Sequence, residues 1–335
     1  MRTYLDRQLN KWFYRDRGLV AWLLSPLSLL YIGCIFIRRL AFKFGVLSVY
    51  EASVPVLVVG NITLGGVGKT PVVSEFARYL IEKGKIVGIV SRGYGGQSGS
   101  WPQIVTAESD PRAVGDEPVM LARQLACHVV VSPKRVDAIR LCEKLGCDII
   151  LSDDGLMHYY FKRSWECIII DSSRGLGNAF CLPVGPLREP ASRLKKASVV
   201  LMNTEDQCDE NSFHIVPVAY INFSDGGVVS LSEFKERKVH AVSAIGNNKR
   251  FANTLRQLGC DVLEHPFPDH YPLSNSDLTF ADAHPIIMTE KDAVRGCFLD
   301  KKNNMWYLKI RAEIHSTVYE QLNNITNKVT SNRKG

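Results

Sequence analysis

Residues Val56–Thr70, VLVVGNITLGGVGKT, join a β-branched apolar run to a glycine-rich turn and a lysine–threonine pair. A buried strand entering such a turn, with a helix opening at Gly68-Lys69-Thr70, is the arrangement that binds nucleotide phosphates. Backbone N–H groups close on phosphate oxygens, the helix N-terminus adds partial positive charge, the lysine reaches the β- and γ-phosphates, and the threonine hydroxyl can ligate magnesium. The candidate cradle is Thr63, Leu64, Gly65, Gly66, Val67, Gly68, Lys69 and Thr70, with Thr63 standing where GxxxxGK[ST] begins with glycine. A second carboxylate belongs at the end of a neighbouring strand. Ile149-Ile150-Leu151-Ser152-Asp153-Asp154 supplies one, with Asp153 toward the metal and Asp154 sharing it or its waters. Transfer to a hydroxyl further needs a group to take or orient the proton and cations for the developing charge. Asp116, His158, Arg188 and the Asp269-His270 pair are candidates. Each is weak alone, since a lone histidine is usually structural and an Arg-Glu pair is usually a surface ion pair.

These residues need a parallel sheet to hold them. Val54–Val59, Ile86–Val90, Val129–Val131, Ile149–Leu151, Cys167–Ile170 and Val199–Met202 read as strands. They alternate with helical stretches such as Pro71–Lys83, and Ser132-Pro133 reads as the N-cap and first residue of another helix. Apolar strands alternating with helices predict a sheet covered on both faces. Tyr220–Leu231 carries a hairpin signal around Asp225-Gly226-Gly227. Beyond it, Val239–Ile245, Pro285–Thr289 and Trp306–Ile310 read as strands and Arg250–Leu258 as a helix. The expected organisation is an N-terminal membrane-associated helical segment (1–45), a P-loop core (46–219), a hairpin linker (220–231), a smaller α/β unit (232–322) and a polar, frayed tail (323–335). The fold class is therefore α/β, a P-loop-type parallel sheet core with a second, smaller α/β domain.

Charge is unevenly placed. The formal net charge is +7, and residues 1–50 hold eight basic and two acidic side chains, hence six of those seven charges. The body is close to neutral, which argues against a nucleic-acid partner. The basic residues bracket the uncharged run 18–37, about the 20 residues that cross a bilayer core. That run predicts a spanning or deeply inserted helix kinked at Pro26; an in-plane helix and a buried core helix are the alternatives. Arg38-Arg39 follows at once with no small-residue cleavage site, against a signal peptide. Nine scattered cysteines without a CxxC pair read as reduced thiols.

GNITLGGVGKTP, SRGYGG (91–96), VGDEP (114–118), DDGLMH (153–158), LPVGPLREP (182–190), FPDHY (267–271) and MTEKDAV (288–294) follow one another in the order seen in the tetraacyldisaccharide 4′-kinases, the lipid A 4′-kinases of Gram-negative bacteria. The chain resembles that family from its N-terminal apolar segment to about residue 310. The resemblance implies ATP and Mg²⁺, an acylated glucosamine disaccharide 1-phosphate as acceptor at its 4′-hydroxyl, and lipid IV-A as product. It implies a place at the cytoplasmic face of the bacterial inner membrane, on its lipid surface, with no obligate protein partner. It makes Asp116 the base with support from His270, assigns Lys69 to phosphate, and puts Thr70 and Asp153 at the metal with Asp154 and Glu117 nearby. Arg188 becomes a phosphate or transition-state cation, and Arg92, Tyr94 and His158 fall on the acceptor side. Two positions depart from the family pattern: Met157 replaces a glutamine, and Ala179 a glycine after Gly177-Asn178.

A membrane-associated ATPase of the partitioning or targeting class is the main rival. Such proteins usually carry a lysine where this chain has Leu64. A kinase for another lipid is the nearest chemical alternative. Asn203-Thr204-Glu205-Asp206 lacks the lysine of a guanine-reading NKxD.

Overall fold

A computed structural model describes residue 13 and residues 22–205, 209–296, 299–300 and 304–332. Among the described elements, α1 (Ser25–Lys43) is followed by β1 (Val56–Gly60), α2 (Lys69–Glu82), β2 (Val87–Ser91), β3 (Gln103–Val105), α3 (Pro111–Val114) and α4 (Asp116–Gln124). Then come β4 (His128–Val131), α5 (Arg135–Lys144), β5 (Ile149–Asp153), β6 (Trp165–Asp171), β7 (Val199–Asn203), β8 (Ser212–Asn222) and β9 (Val228–Val229). The rest is β10 (Lys238–Ser243), α6 (Asn248–Gln257), β11 (Asp261–Pro266), β12 (Ile286–Thr289), α7 (Glu290–Arg295), β13 (Met305–Ile314) and α8 (Ser316–Asn332).

All thirteen strands belong to one sheet, in the order β11-β10-β12-β13-β8-β7-β6-β1-β5-β2-β4-β3, with β9 paired to β8 outside that path. From β2 to β7 the neighbours are parallel. They read as continuous apolar runs because helices cover both faces. The two halves meet through β8, which runs antiparallel to β13 over most of its length but joins β7 at only two residue pairs, Met202↔Ser212 and Asn203↔Phe213. The core beneath α2 is completed from the far end of the chain. Ala312, Ile314, Val318 and Leu322 are buried in the same cluster as Leu57, Phe76 and Leu151, and Tyr319 packs its ring 4.6 Å from that of Tyr79.

Two local expectations are corrected and one is met. Ser132 does not cap a helix: its Oγ accepts from Lys134 N at 3.2 Å, closing a turn that delays α5 to Arg135. At Pro26 the helical run is interrupted as expected: residues 22–23 are helical, Leu24 forms a turn, and Pro26 stands in the first turn of α1, where its missing N–H is harmless. The C-terminal polar stretch is helical through Asn332, because α8 has an apolar stripe (Val318, Leu322) to bury. Residues 18–21 of the apolar N-terminal run lie outside the described residues.

Helix α1 lies against the body along its length. Trp22 meets Phe180 with ring centroids 5.6 Å apart. Ser28 Oγ donates to Cys181 O (2.7 Å), Tyr31 OH to Arg188 O (2.9 Å), and Arg39 pairs with Glu189 (2.7 Å). Phe42 stacks edge-on against Tyr160 at 4.9 Å. The opposite face leaves Leu23, Leu30, Phe36 and Ile37 more than half exposed.

Ala179 has φ +65°, a left-handed backbone that glycine adopts freely. The conformation costs a non-glycine residue about 1–2 kcal/mol, and the extra unfolded-state freedom of glycine gives back about 0.4–1 kcal/mol. Ala179→Gly should therefore stabilise the fold by roughly 0.5–1 kcal/mol. Urea unfolding should show a higher midpoint at unchanged slope; a lower midpoint would mean that the strain is absent.

Candidate active site

Three parallel strands end with polar side chains on one edge of the sheet: β5 with Asp153 on one side of β1, and β6 with Asp171 and β7 with Asn203 on the other. Beside them β1 ends at Gly60 and releases the loop 61–68. The crevice beyond the carboxyl ends of parallel strands is where such sheets bind ligands. Gly65 (φ +95°) and Gly68 (φ +89°) take backbone angles that side chains disfavour, and Gly68 N-caps α2. Asn61 sets the loop from within, its Nδ2 donating to Thr63 O at 2.7 Å and its Oδ1 accepting from Lys69 Nζ at 3.0 Å. Outer ties hold it too: Leu64 N to Pro186 O (2.9 Å), Arg188 N to Ile62 O (2.7 Å) and Asn203 Nδ2 to Val67 O (3.0 Å). Thr70 is buried in the first turn of α2.

The two aspartates differ electrostatically. Asp154 lies 3.7 Å from Lys69 Nζ and 3.1 Å from Arg188. Burial acts to raise its pKa, but the two cations outweigh burial and hold the carboxyl below its ordinary value. Asp153 is fully buried among the strand ends. Burial first, and then the nearby Glu117 carboxylate, push it up to about 7 against the pull of Lys69. Its Oδ1 has no hydrogen-bond partner. Asp154 also carries φ +50°, so a strained backbone sits at the site.

Asp116 opens α4 and is buried. Its Oδ1 accepts from Glu117 N at 2.9 Å, and its Oδ2 meets Arg295 Nε at 2.5 Å and Lys291 Nζ at 3.9 Å. Burial works to raise its pKa, but Lys291 and Arg295 prevail and keep it below the ordinary 3.8. Lys291 also binds Glu117 at 2.8 Å. His270, at φ +61°, places Nδ1 3.9 Å from Asp116 Oδ2, beyond hydrogen-bonding distance. Arg295 NH2 stands between them, 2.9 Å from His270 Nδ1. An arginine can only donate, so that Nδ1 accepts and the ring proton of His270 lies on Nε2. Tyr94 sets its ring 5.8 Å from that of His270.

The sheet edge thus gathers Lys69, Asp153, Asp154, Arg188 and Glu117, with Asp116 and His270 joined through Arg295. Arg92 and His158 gather around Arg135, which donates to Asp153 O at 2.8 Å and so joins them to the aspartate cluster; burial first, then Arg135 and Arg92, depress His158 to about 4. Asn61, Arg135, Asn203, Lys291 and Arg295 are site residues that the motif reading passes over. Lys291 and Arg295 had a usable signal, since their i, i+4 spacing puts both cations on one helix face.

The family profile described as tetraacyldisaccharide-1-P 4′-kinase matches residues 20–327. The chain belongs to that family. A tetraacyldisaccharide 4′-kinase of Nitrosococcus oceani is 42% identical over 323 residues, 96% of this chain and 95% of that one. One from Alkalilimnicola ehrlichii is 44% identical over 312 residues, 93% of this chain and 94% of its own. The crystal structure of the "apo" form of LpxK from Aquifex aeolicus in complex with ATP superposes with a TM-score of 0.77 at 30% identity, covering 93% of this chain and 99% of that one. This 4′-kinase family member is therefore an enzyme with a P-loop-type α/β fold.

Proposed function

We propose that this chain transfers the γ-phosphoryl of ATP to the 4′-hydroxyl of a tetraacyl glucosamine disaccharide 1-phosphate, giving lipid IV-A at a membrane surface. The observation that carries the reading is the meeting of a phosphate-binding loop with two cations and a separately held buried carboxylate. Lys69 and Arg188 face the terminal phosphates. Asp116, kept ionised by Lys291 and Arg295, takes the acceptor proton, and His270 orients this group through Arg295. Arg92, Tyr94 and neutral His158 line the acceptor side.

The orphaned, buried Asp153 Oδ1 and the Thr70 hydroxyl are hard oxygen donors and suit Mg²⁺. Asp154 and Glu117 would hold its waters. Bound there, the ion would neutralise charge on the β- and γ-phosphates. Asp153, pushed up to about 7 by burial, is the group that a nearby cation would return to its ionised form.

The acceptor's acyl chains keep it in a bilayer. Helix α1 supports a surface site: the face carrying Ser28, Tyr31, Arg39 and Phe42 is fixed to the body, while Leu30, Phe36 and Ile37 face outward. A helix held along its length by the body fits an in-plane position better than a span. Through Tyr31 and Arg188 O it touches the same segment that ties the phosphate loop. The bacterial inner membrane, cytoplasmic face, is the location that this substrate and ATP require.

The test is transfer of label from γ-labelled ATP to the disaccharide acceptor. Label should appear in the lipid. With Leu30→Glu/Phe36→Glu, transfer to acceptor embedded in anionic vesicles should fall about tenfold or more, with transfer in detergent micelles retained. Absence of labelled lipid from the unmodified enzyme would redirect the reading to another lipid acceptor. Equal loss in vesicles and micelles would remove the surface role of α1.

A further inference from the structure

Arg174 is absorbed by none of the roles above, yet it leans on the phosphate loop. It follows β6, the strand beside β1, so both chains leave the sheet at the same edge (Gly60 pairs with Ile168). Asp171 fixes it. One carboxylate oxygen accepts from Ser173 N (3.0 Å) and Ser173 Oγ (2.6 Å), and the other accepts from Arg174 Nε (3.0 Å) and NH2 (2.8 Å). Burial tends to raise the pKa of Asp171, but the Ser173 hydrogen bonds and the Arg174 charge hold it below the ordinary value, so the anchor stays ionised. A two-point grip on a planar guanidinium sets its plane as well as its position.

That plane is directed at the loop. Arg174 NH2 also donates to Gly66 O. Its NH1 lies 2.9 Å from the point where a Cβ on Gly65 would stand. Residue 65 is therefore held to glycine twice, by φ +95° and by the arginine that fills the space of a side chain. Gly65 and Gly66 immediately precede the N–H groups and the lysine that take the β- and γ-phosphates. The guanidinium stands at the rim of the phosphate cradle, on the flank opposite Asp153, since β1 lies between β5 and β6.

We propose that Arg174 is an arginine contributed by the chain itself to the transferring phosphate. With nucleotide in the loop, it keeps Asp171 and donates to a terminal phosphate oxygen as charge builds there. An arginine has five donors, so gripping Asp171 and meeting a phosphate are compatible. Lys69 and Arg188 face the same phosphate from the Asp154 side, and Arg174 closes the other flank. The inference rests on reading residues 63–70 as the nucleotide site. A simple clamp on the loop backbone is the competing role, and it predicts different numbers.

The experiment uses full-length enzyme with Arg174→Ala and Arg174→Lys, and Lys69→Ala as control. The readouts are kcat with the disaccharide acceptor, and affinity for ADP with and without aluminium fluoride, Mg²⁺ present. A cis or trans arginine in other phosphoryl-transfer enzymes contributes about 10³–10⁵-fold. Two cations remain here, so kcat should fall by about tenfold to a hundredfold in Arg174→Ala. ADP affinity should stay within about threefold, and the extra affinity gained with aluminium fluoride should disappear. Lysine should restore little, because a point charge cannot hold Asp171 and a phosphate together. If kcat stays within about threefold, or ADP affinity falls as far as kcat with the fluoride gain intact, the proposal is overturned and the clamp stands. If Lys69→Ala binds ATP normally, the nucleotide site itself has been misplaced. Should Arg174→Ala fail to fold, Arg174→Lys carries the same readouts.

Discussion

Asp116→Asn should lower kcat by about 10³-fold and leave ATP affinity unchanged. A positioned general base contributes about 10²–10⁴-fold, and no hydrogen bond joins Asp116 to the phosphate loop among the described contacts. Asparagine keeps the contact from Glu117 N but cannot accept a proton. The pH dependence separates this role from a structural one. Lys291 and Arg295 overcome the upward push of burial and hold the Asp116 pKa below 3.8 in the folded protein. Its contribution to stability is therefore complete above about pH 3.8 and is lost as pH falls through the lower folded value. The carboxylate is ionised throughout the neutral range, so an acidic limb of kcat above pH 5 would have to come from another group. Turnover within threefold of normal in Asp116→Asn would end its assignment as base.

Arg295→Met should be nearly as damaging, for a different reason. The arginine bonds Asp116, His270 and Asp292 at once. Removing one partner of a buried pair costs about 3–5 kcal/mol, because the remaining charge is left without compensation. Lys291 stays 3.9 Å from Asp116 and softens the loss, so destabilisation of about 3 kcal/mol and a fall in kcat of roughly 10²-fold are expected. Burial then dominates the Asp116 environment, its pKa rises, and the acid limb of the rate moves to higher pH. A double-mutant cycle with His270→Ala checks the connection. If His270 acts through Arg295, the double variant should be no slower than Arg295→Met alone. Additive losses would mean that His270 reaches the acceptor or Asp116 independently.

The strand–loop–helix around the glycines and the Asp153-Asp154 pair were legible from the chain because each is continuous in sequence. A strand, a glycine turn and a helix start leave their marks in fifteen consecutive residues, Val56–Thr70. The parallel strands were legible for the same reason, as short apolar runs. Contacts between distant segments left no such trace. Arg295 meets Asp116 across 179 positions, and Asn203 holds Val67 across 136. No local propensity encodes those meetings. The 3.9 Å gap between His270 and Asp116 was equally hidden, since a motif names residues without saying what stands between them. Strand β8 was only half visible, because its alternation is broken by Pro217, where the register against β13 shifts. Helix α8 was missed altogether, because the polarity of the tail hides the apolar stripe of Val318 and Leu322.

The return of α8 to the first half of the sheet orders events during synthesis. A nascent chain emerges from its N-terminus at about 5–20 residues per second. Helix α1, with its exposed Leu30 and Phe36, emerges well before the strands of the sheet are complete. The core under the phosphate-loop helix, by contrast, lacks Ala312, Ile314, Val318 and Leu322 until translation is almost finished. On the membrane placement proposed above, the chain would reach a bilayer before the half of the sheet beneath α2 can complete its packing.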